Sequence, residues 1–225
     1  MMGLRWYNCI YLLAKNEAQK QMITILFLTS NPHDTNHLAI DEEVRAIDER
    51  LRRASFREVF GFKSHWAVRV SDLQELFLRY KPTIVHFSGH GSTSSEIILQ
   101  DDLGTTRAIP PQALSNLFSI FQNDIRCVVL NACYSNRQAK AIAKNIDCVI
   151  GMTDTITDVA ARSFSSAFYQ ALGYGQSVKT AFDLGCGQIH MEELGNIMFL
   201  YYCLLESIPI VLLSGLPRTR VFSKE

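Results

Sequence analysis

The chain is predicted to be an α/β protein with a mostly parallel central sheet and helices on both faces, and three observations predict it. Short β-branched runs alternate with amphipathic stretches from Ile23 onward, the pattern of strands linked by crossover helices. Two of the runs, TIVHF and IRCVVL, give way abruptly to polar loops, as core strands do where they leave a sheet. With 48% hydrophobic and 10% aromatic residues in 225, there is enough apolar surface for one sizeable core without metal or disulfide support.

ITILFL (Ile23 to Leu28) reads as the first strand, ended by Ser30-Asn31-Pro32, where proline has no N–H for the ladder. Ile40, Val44, Ile47, Leu51 and Ala54 then recur at steps of three and four. That spacing predicts a helix with one stripe on the sheet and Asp41, Glu42, Arg45 and Glu49 in water. Ser71 with Gln74 has the form of a capping box ahead of Leu73, Leu76, Phe77 and Tyr80, the buried side of a second helix. Thr83 to Phe87 is the next strand and runs into Ser88-Gly89-His90-Gly91-Ser92. Ser95 to Gln100 and Thr106 to Ile109 are predicted hairpin arms, with Gly104 closing the turn. Pro110-Pro111 opens another helix. Ile125 to Leu130 is a core strand followed by Asn131-Ala132-Cys133-Tyr134-Ser135 and a helix through Ala139, Ile142 and Ala143. Cys148 to Ile150 is a short strand, and Thr155 with Asp158 has the form of another capping box before Ala160, Phe164, Phe168 and Ala171.

Composition narrows the function classes. Lys plus Arg equals Asp plus Glu at 22 each, so no positive excess exists to neutralise phosphates and nucleic acid is not expected as a direct partner. Six cysteines, at 9, 127, 133, 148, 186 and 203, include no C-x-x-C pair, which points to a reducing, cytoplasmic compartment. Lys15, Glu17 and Lys20 break up the start of the chain where a signal peptide would need small residues. The apolar pieces IMFLYYCLL and IPIVLL, interrupted by Glu206 and Pro209, fall short of the ~20 residues of a membrane span. No membrane partner is expected. Gly-x-Gly pairs begin at Gly89, Gly173 and Gly185, but none completes a dinucleotide fingerprint, and P-loop and G-x-S-x-G patterns are missing. No cofactor is predicted.

In open α/β sheets, loops at the carboxyl ends of strands converge on one crevice. Here one such loop carries His90 and the other Cys133, 43 positions apart. An imidazole beside a thiol can take its proton, and the thiolate can attack an amide carbonyl. The N–H groups of Gly91 and Cys133 would then face the developing oxyanion. Taken alone, a cysteine at the end of a core strand is more often a small buried hydrophobe, and Cys127 and Cys148 are read in that way. His86 lies within its strand, opposite in facing to Val85 and Phe87, and is expected to pack or to support the base from behind, as is Asn131. His86, His90 and Cys133 lack a fourth ligand at a familiar spacing, so no metal is predicted.

The motifs ILFLTSNP, AIDEEVRAID, IVHFSGHG, IILQDDLG, VVLNACYS, CVIGMTD and AFDLGCGQI resemble, in order, those of the CHAT domains, bacterial caspase-like modules. The likeness spans Ile23 to about Ile189 and is most specific in VHFSGHG and LNACYS. It implies a caspase-like fold with His90 as general base and Cys133 as nucleophile of a cysteine endopeptidase. It also implies a protein or peptide substrate, a defence or cell-death setting, and control by a regulatory sensor protein. The rival is a silent caspase-like module that grips a partner peptide without cutting it. Asn-Ala-Cys-Tyr-Ser replaces the Gln-Ala-Cys-x-Gly of animal caspases, so aspartate preference is not implied. Asp154 and Asp158 are candidates for an acidic substrate pocket, although a capping role accounts for Asp158 and a turn for Asp154. By this reading residues 1–21 are an extension, 22–215 one domain and 216–225 a tail. The apolar run after Ile189 either alters the last strand or provides a homodimer face.

Overall fold

The computed structural model describes residues 22–195 and the backbone of 199–203. The extension at 1–21, the tail at 216–225 and most of the apolar C-terminal run lie outside the described residues. Strand β1 (Ile23–Ser30) is followed by helix α1 (Ile40–Arg53), strand β2 (Phe60–His65), helix α2 (Asp72–Tyr80) and strand β3 (Ile84–Gly89). A hairpin of β4 (Ile97–Gln100) and β5 (Thr106–Ile109) leads into helix α3 (Pro111–Ile120) and strand β6 (Cys127–Asn131). Helix α4 (Asn136–Ile142), strand β7 (Cys148–Met152), helices α5 (Asp158–Gly173) and α6 (Val178–Met191), and strand β8 (Phe199–Cys203) complete it.

The main sheet has the order β2-β1-β3-β6-β7-β8. Its first five strands are parallel and β8 is antiparallel to β7. Strand β2 lies on one side of β1, while β3, β6 and β7 follow on the other. A right-handed crossover packs its helix on one face when the chain moves left and on the opposite face when it moves right. Accordingly α1, with α5 and α6, packs on Ile25, Phe27, Val129 and Ile150. Helices α2, α3 and α4 cover Leu26, Val85, Val128 and Val149. The order reverses between β1 and β3, and a crevice at the strands' carboxyl ends is the usual consequence.

Several sequence expectations need correction. Strand β2 was not predicted: it is an edge strand with no fully buried residue, so FGFKSH has no strong apolar alternation. The predicted caps differ too. Ser71 stands at the N-cap of α2 without a capping bond; its hydroxyl faces Asp72, whose carboxylate accepts the Arg69 N–H at 2.9 Å. Helix α5 is capped by Thr157, whose hydroxyl accepts the Ala160 N–H at 3.3 Å, rather than by the Thr155–Asp158 box. Cys148 is disulfide-bonded, not a free buried thiol, and in the β7–β8 register it lies opposite Cys203. Among the described residues no helix is long and apolar enough to cross a membrane.

Candidate active site

Three chain segments meet above the carboxyl ends of β1, β3 and β6. Strands β3 and β6 are paired with Ser88 opposite Asn131, so the loops that leave them start side by side. Gly91 packs directly on the cysteine loop: a Cβ there would overlap the Cys133 carbonyl oxygen and lie 3.2 Å from its amide nitrogen. Glycine is required at 91 because only a bare Cα fits this approach. Tyr134, next after Cys133, is left-handed at φ 53°. For a bulky L-residue this costs on the order of 1 kcal/mol, and it turns the chain sharply beyond the sulfur. Ser135 holds the turn by donating to the Leu130 carbonyl at 3.1 Å and accepting the Met152 N–H at 2.9 Å.

His90 and Cys133 are both half-buried and line one crevice with Leu38, Ile40, Ile156 and Asp158. The His90 Nε2 lies 2.8 Å from the Asn36 carbonyl in the β1–α1 loop. A carbonyl only accepts, so Nε2 carries the hydrogen and Nδ1 of the neutral ring is left as the basic nitrogen. This tautomer suits a general base. The N–H groups of Gly91 and Cys133 have no partner among the described residues, as donors awaiting an oxyanion would. The other free cysteines differ in kind. Burial, reinforced by Asp147, pushes the Cys127 thiol up to about 12. Burial, reinforced by Asp183, pushes Cys186 up to about 11. Neither forms a thiolate at neutral pH.

Of the two pocket candidates, Asp158 lines the crevice, and its carboxylate accepts the Ala39 N–H at 2.9 Å. Asp154 is exposed outside it, with its side chain on the Thr155 N–H at 2.7 Å and its backbone carbonyl on the Tyr134 N–H. His86 is fully buried, stacked on Phe27 with ring centroids 4.4 Å apart. Its Nδ1 lies 3.0 Å from the Tyr169 hydroxyl. Its Nε2 stands 3.3 Å from Glu43 Oε1, within ion-pair range but not aligned for a hydrogen bond.

Glu43 is the buried carboxylate that the sequence reading passed over. Ser88 donates to its Oε2 at 2.6 Å, and Asn131 and Ser165 donate to its Oε1 at 2.7 and 2.6 Å. Burial pushes this carboxyl up, but the His86 ring and the hydroxyls of Ser165 and Ser88 outweigh it and hold the group below its ordinary value of 4.5. The signal was present in the chain. Between Ile40 and Ile47, Glu43 occupies a place on the apolar stripe where a charge has no reason to be unless it is paired. Tyr169 and Ser165 complete the cluster from α5, and the Tyr169 phenol is driven well above its ordinary value, mainly by burial.

Solved structures with this architecture include caspase-1 from Spodoptera frugiperda, at TM-score 0.56 and 10% identity over 84% of this chain and 89% of that one. The Arg-specific cysteine proteinase gingipain R matches at TM-score 0.57 and 10% identity, covering 86% and 49% respectively. At these identities the likeness establishes the caspase-like fold and nothing further. Among curated proteins, a "Probable protease" of Gillisia limnaea is 28% identical over 182 residues, 78% of this chain and 31% of the relative. A "Roc-COR-CHAT protease" from an unknown prokaryotic organism is 26% identical over 157 residues, 66% of this chain and 15% of its own length. The chain therefore spans about a third or less of the curated relatives it matches. The family model for the CHAT domain matches residues 12–183, starting earlier than the Ile23 expected from the motifs. With most of its length matched, this chain belongs to the CHAT domain family.

Proposed function

We propose that this domain is a cysteine endopeptidase in which Cys133 is the nucleophile and His90 the general base. The observation that carries the reading is the seating of Gly91 on the Cys133 backbone while Asn36 claims the His90 Nε2 hydrogen. The thiol proton passes to Nδ1 of His90, and the sulfur bonds to the scissile carbonyl carbon. The oxyanion so formed takes hydrogen bonds from the N–H groups of Gly91 and Cys133. Collapse breaks the C–N bond, the leaving amine takes the proton from His90, and water hydrolyses the remaining thioester. His86 and Asn131 support the site from beneath.

The substrate is proposed to be a protein with a basic side chain at the cleaved position, bound against Asp158 between the apolar walls of Leu38, Ile40 and Ile156. The narrowing from two aspartates to one rests on Asp154 lying outside the crevice. The family resemblance extends the proposal to control by a regulatory sensor protein in a bacterial defence system. Residues 22–215 are proposed as the domain, with a homodimer face beyond Ile189. The unpaired cysteine pattern favours the cytoplasm and the disulfide at Cys148 opposes it; thiol titration of the protein as it is isolated from cells decides between them.

The deciding measurement uses a panel of fluorogenic peptides with each variant's folding checked by circular dichroism. Cys133→Ala and His90→Ala are each expected to abolish turnover while the domain stays folded, since members of one catalytic unit fail together. Asp158→Ala is expected to lower kcat/KM selectively for peptides with arginine or lysine at the cleaved position. Variants that keep their cellular effect without any turnover would replace the peptidase with a peptide-binding module.

A further inference from the structure

We propose that Glu43 is a positioning residue that sets the spacing of the two reacting side chains, an inference that rests on the Cys133–His90 reading above. Ser88 precedes His90 by two positions and Asn131 precedes Cys133 by two. The two are register partners on adjacent parallel strands, and each donates to a different oxygen of the same carboxylate, at 2.6 and 2.7 Å. A carboxylate is rigid and planar, so it fixes the two strand ends relative to each other just before both loops diverge toward the crevice. Strand pairing alone holds them through backbone bonds that still allow each end to fray. Glu43 is itself held from the far side by Ser165 on α5, and the His86 ring packs 3.3 Å from its Oε1.

Net stability does not by itself call for a carboxylate here: taking a charge out of water is costly, and an all-apolar cluster in place of the whole buried polar group is often as stable or more so. Glutamate at 43 interrupts the apolar stripe of Ile40, Ile47 and Leu51. Nor is Glu43 placed to serve as a general acid or base, because Ser88, Asn131 and Ser165 already occupy both of its oxygens. What it does is grip, with charge-assisted bonds that are shorter and stronger than neutral ones, the two residues that lead into the reactive loops.

The test is alkylation of Cys133 by iodoacetamide, followed by mass spectrometry as a function of pH on the intact chain. Thermal unfolding of each variant is recorded alongside. His90→Ala is the reference for a lost dyad. Glu43→Gln is expected to slow alkylation at neutral pH by about ten- to a hundredfold, the loss that follows from small misplacement of reacting groups. Its pH profile should move toward that of His90→Ala. Ser115→Ala, which removes a buried hydroxyl bonded to the Ala141 carbonyl on the opposite face of the sheet, is expected to keep the wild-type rate and pH profile. A wild-type rate and profile in folded Glu43→Gln, with His90→Ala still slow, would overturn the positioning role and leave the dyad standing. A wild-type rate in His90→Ala would overturn the dyad itself. Should Glu43→Gln fail to fold, Ser88→Ala and Asn131→Ala are compared singly and together. Losses in alkylation rate that do not combine multiplicatively support a shared clamp, and independent losses overturn it.

Discussion

The two faces of the central sheet are built to different rules. On the face covered by α2, α3 and α4, Leu28, Phe77, Phe87, Leu114, Phe118 and Leu130 enclose a small cavity lined only by apolar residues. On the face covered by α1, α5 and α6, the same strands bury His86 and Ser88, with Asn131 beside them, against Glu43, Ser165 and Tyr169. Strand alternation sorts the residues: in β3, Val85 and Phe87 go to one side, His86 and Ser88 to the other. The comparison teaches that one strand can be scaffold on one face and site support on the other, so burial alone does not distinguish the two.

Three perturbations would break or sharpen that contrast. The largest effect is expected at the contact between the loops. Gly91→Ala drives a methyl into the Cys133 backbone and should lower peptidase turnover by about a hundredfold, measured as kcat with folding verified. On the apolar face, Leu114→Ala should cost about 2–5 kcal/mol in urea unfolding yet leave the alkylation rate of Cys133 in the folded fraction unchanged. A fall in that rate would show that the two faces are coupled. The smallest effect concerns acid. The carboxyl of Glu43 is held lower in the folded protein than in the unfolded chain, so its contribution is complete above the unfolded value and fades as pH falls through the folded one. Stability of the wild type should therefore drop more steeply below about pH 5 than that of Glu43→Gln. Parallel acid limbs in urea titrations would mean that this carboxylate is not held low.

Most of the core strands and the helices between them were legible because burial imposes periodicity. Ile23 to Leu28, Thr83 to Phe87 and Ile125 to Leu130 had to be apolar to sit between helices. Edge strand β2 escaped because only half-burial is asked of it. Ser71 stands at its predicted N-cap without the capping bond, and the cap expected at Thr155 lies two residues on, because a Ser or Thr with Gln or Asp three residues on is common outside capping boxes. The candidate site divides in the same manner. His90, Gly91 and Cys133 stood out through glycine spacing and strand ends. The carbonyl of Asn36 could not, since every residue has one, and its use depends on where the β1–α1 loop passes.

By itself the sequence determined the layered α/β architecture, the two loops that hold the imidazole and the thiol, and the family to which the motifs point, since these depend on local pattern. Only the tertiary structure decided that Asn36 orients His90, that Asp158 rather than Asp154 lines the crevice, and that Glu43 joins Ser88 to Asn131. Those contacts connect residues 45 to 119 positions apart in the chain. A local pattern constrains which side of an element is buried, but the partner met there is set by how the elements stack.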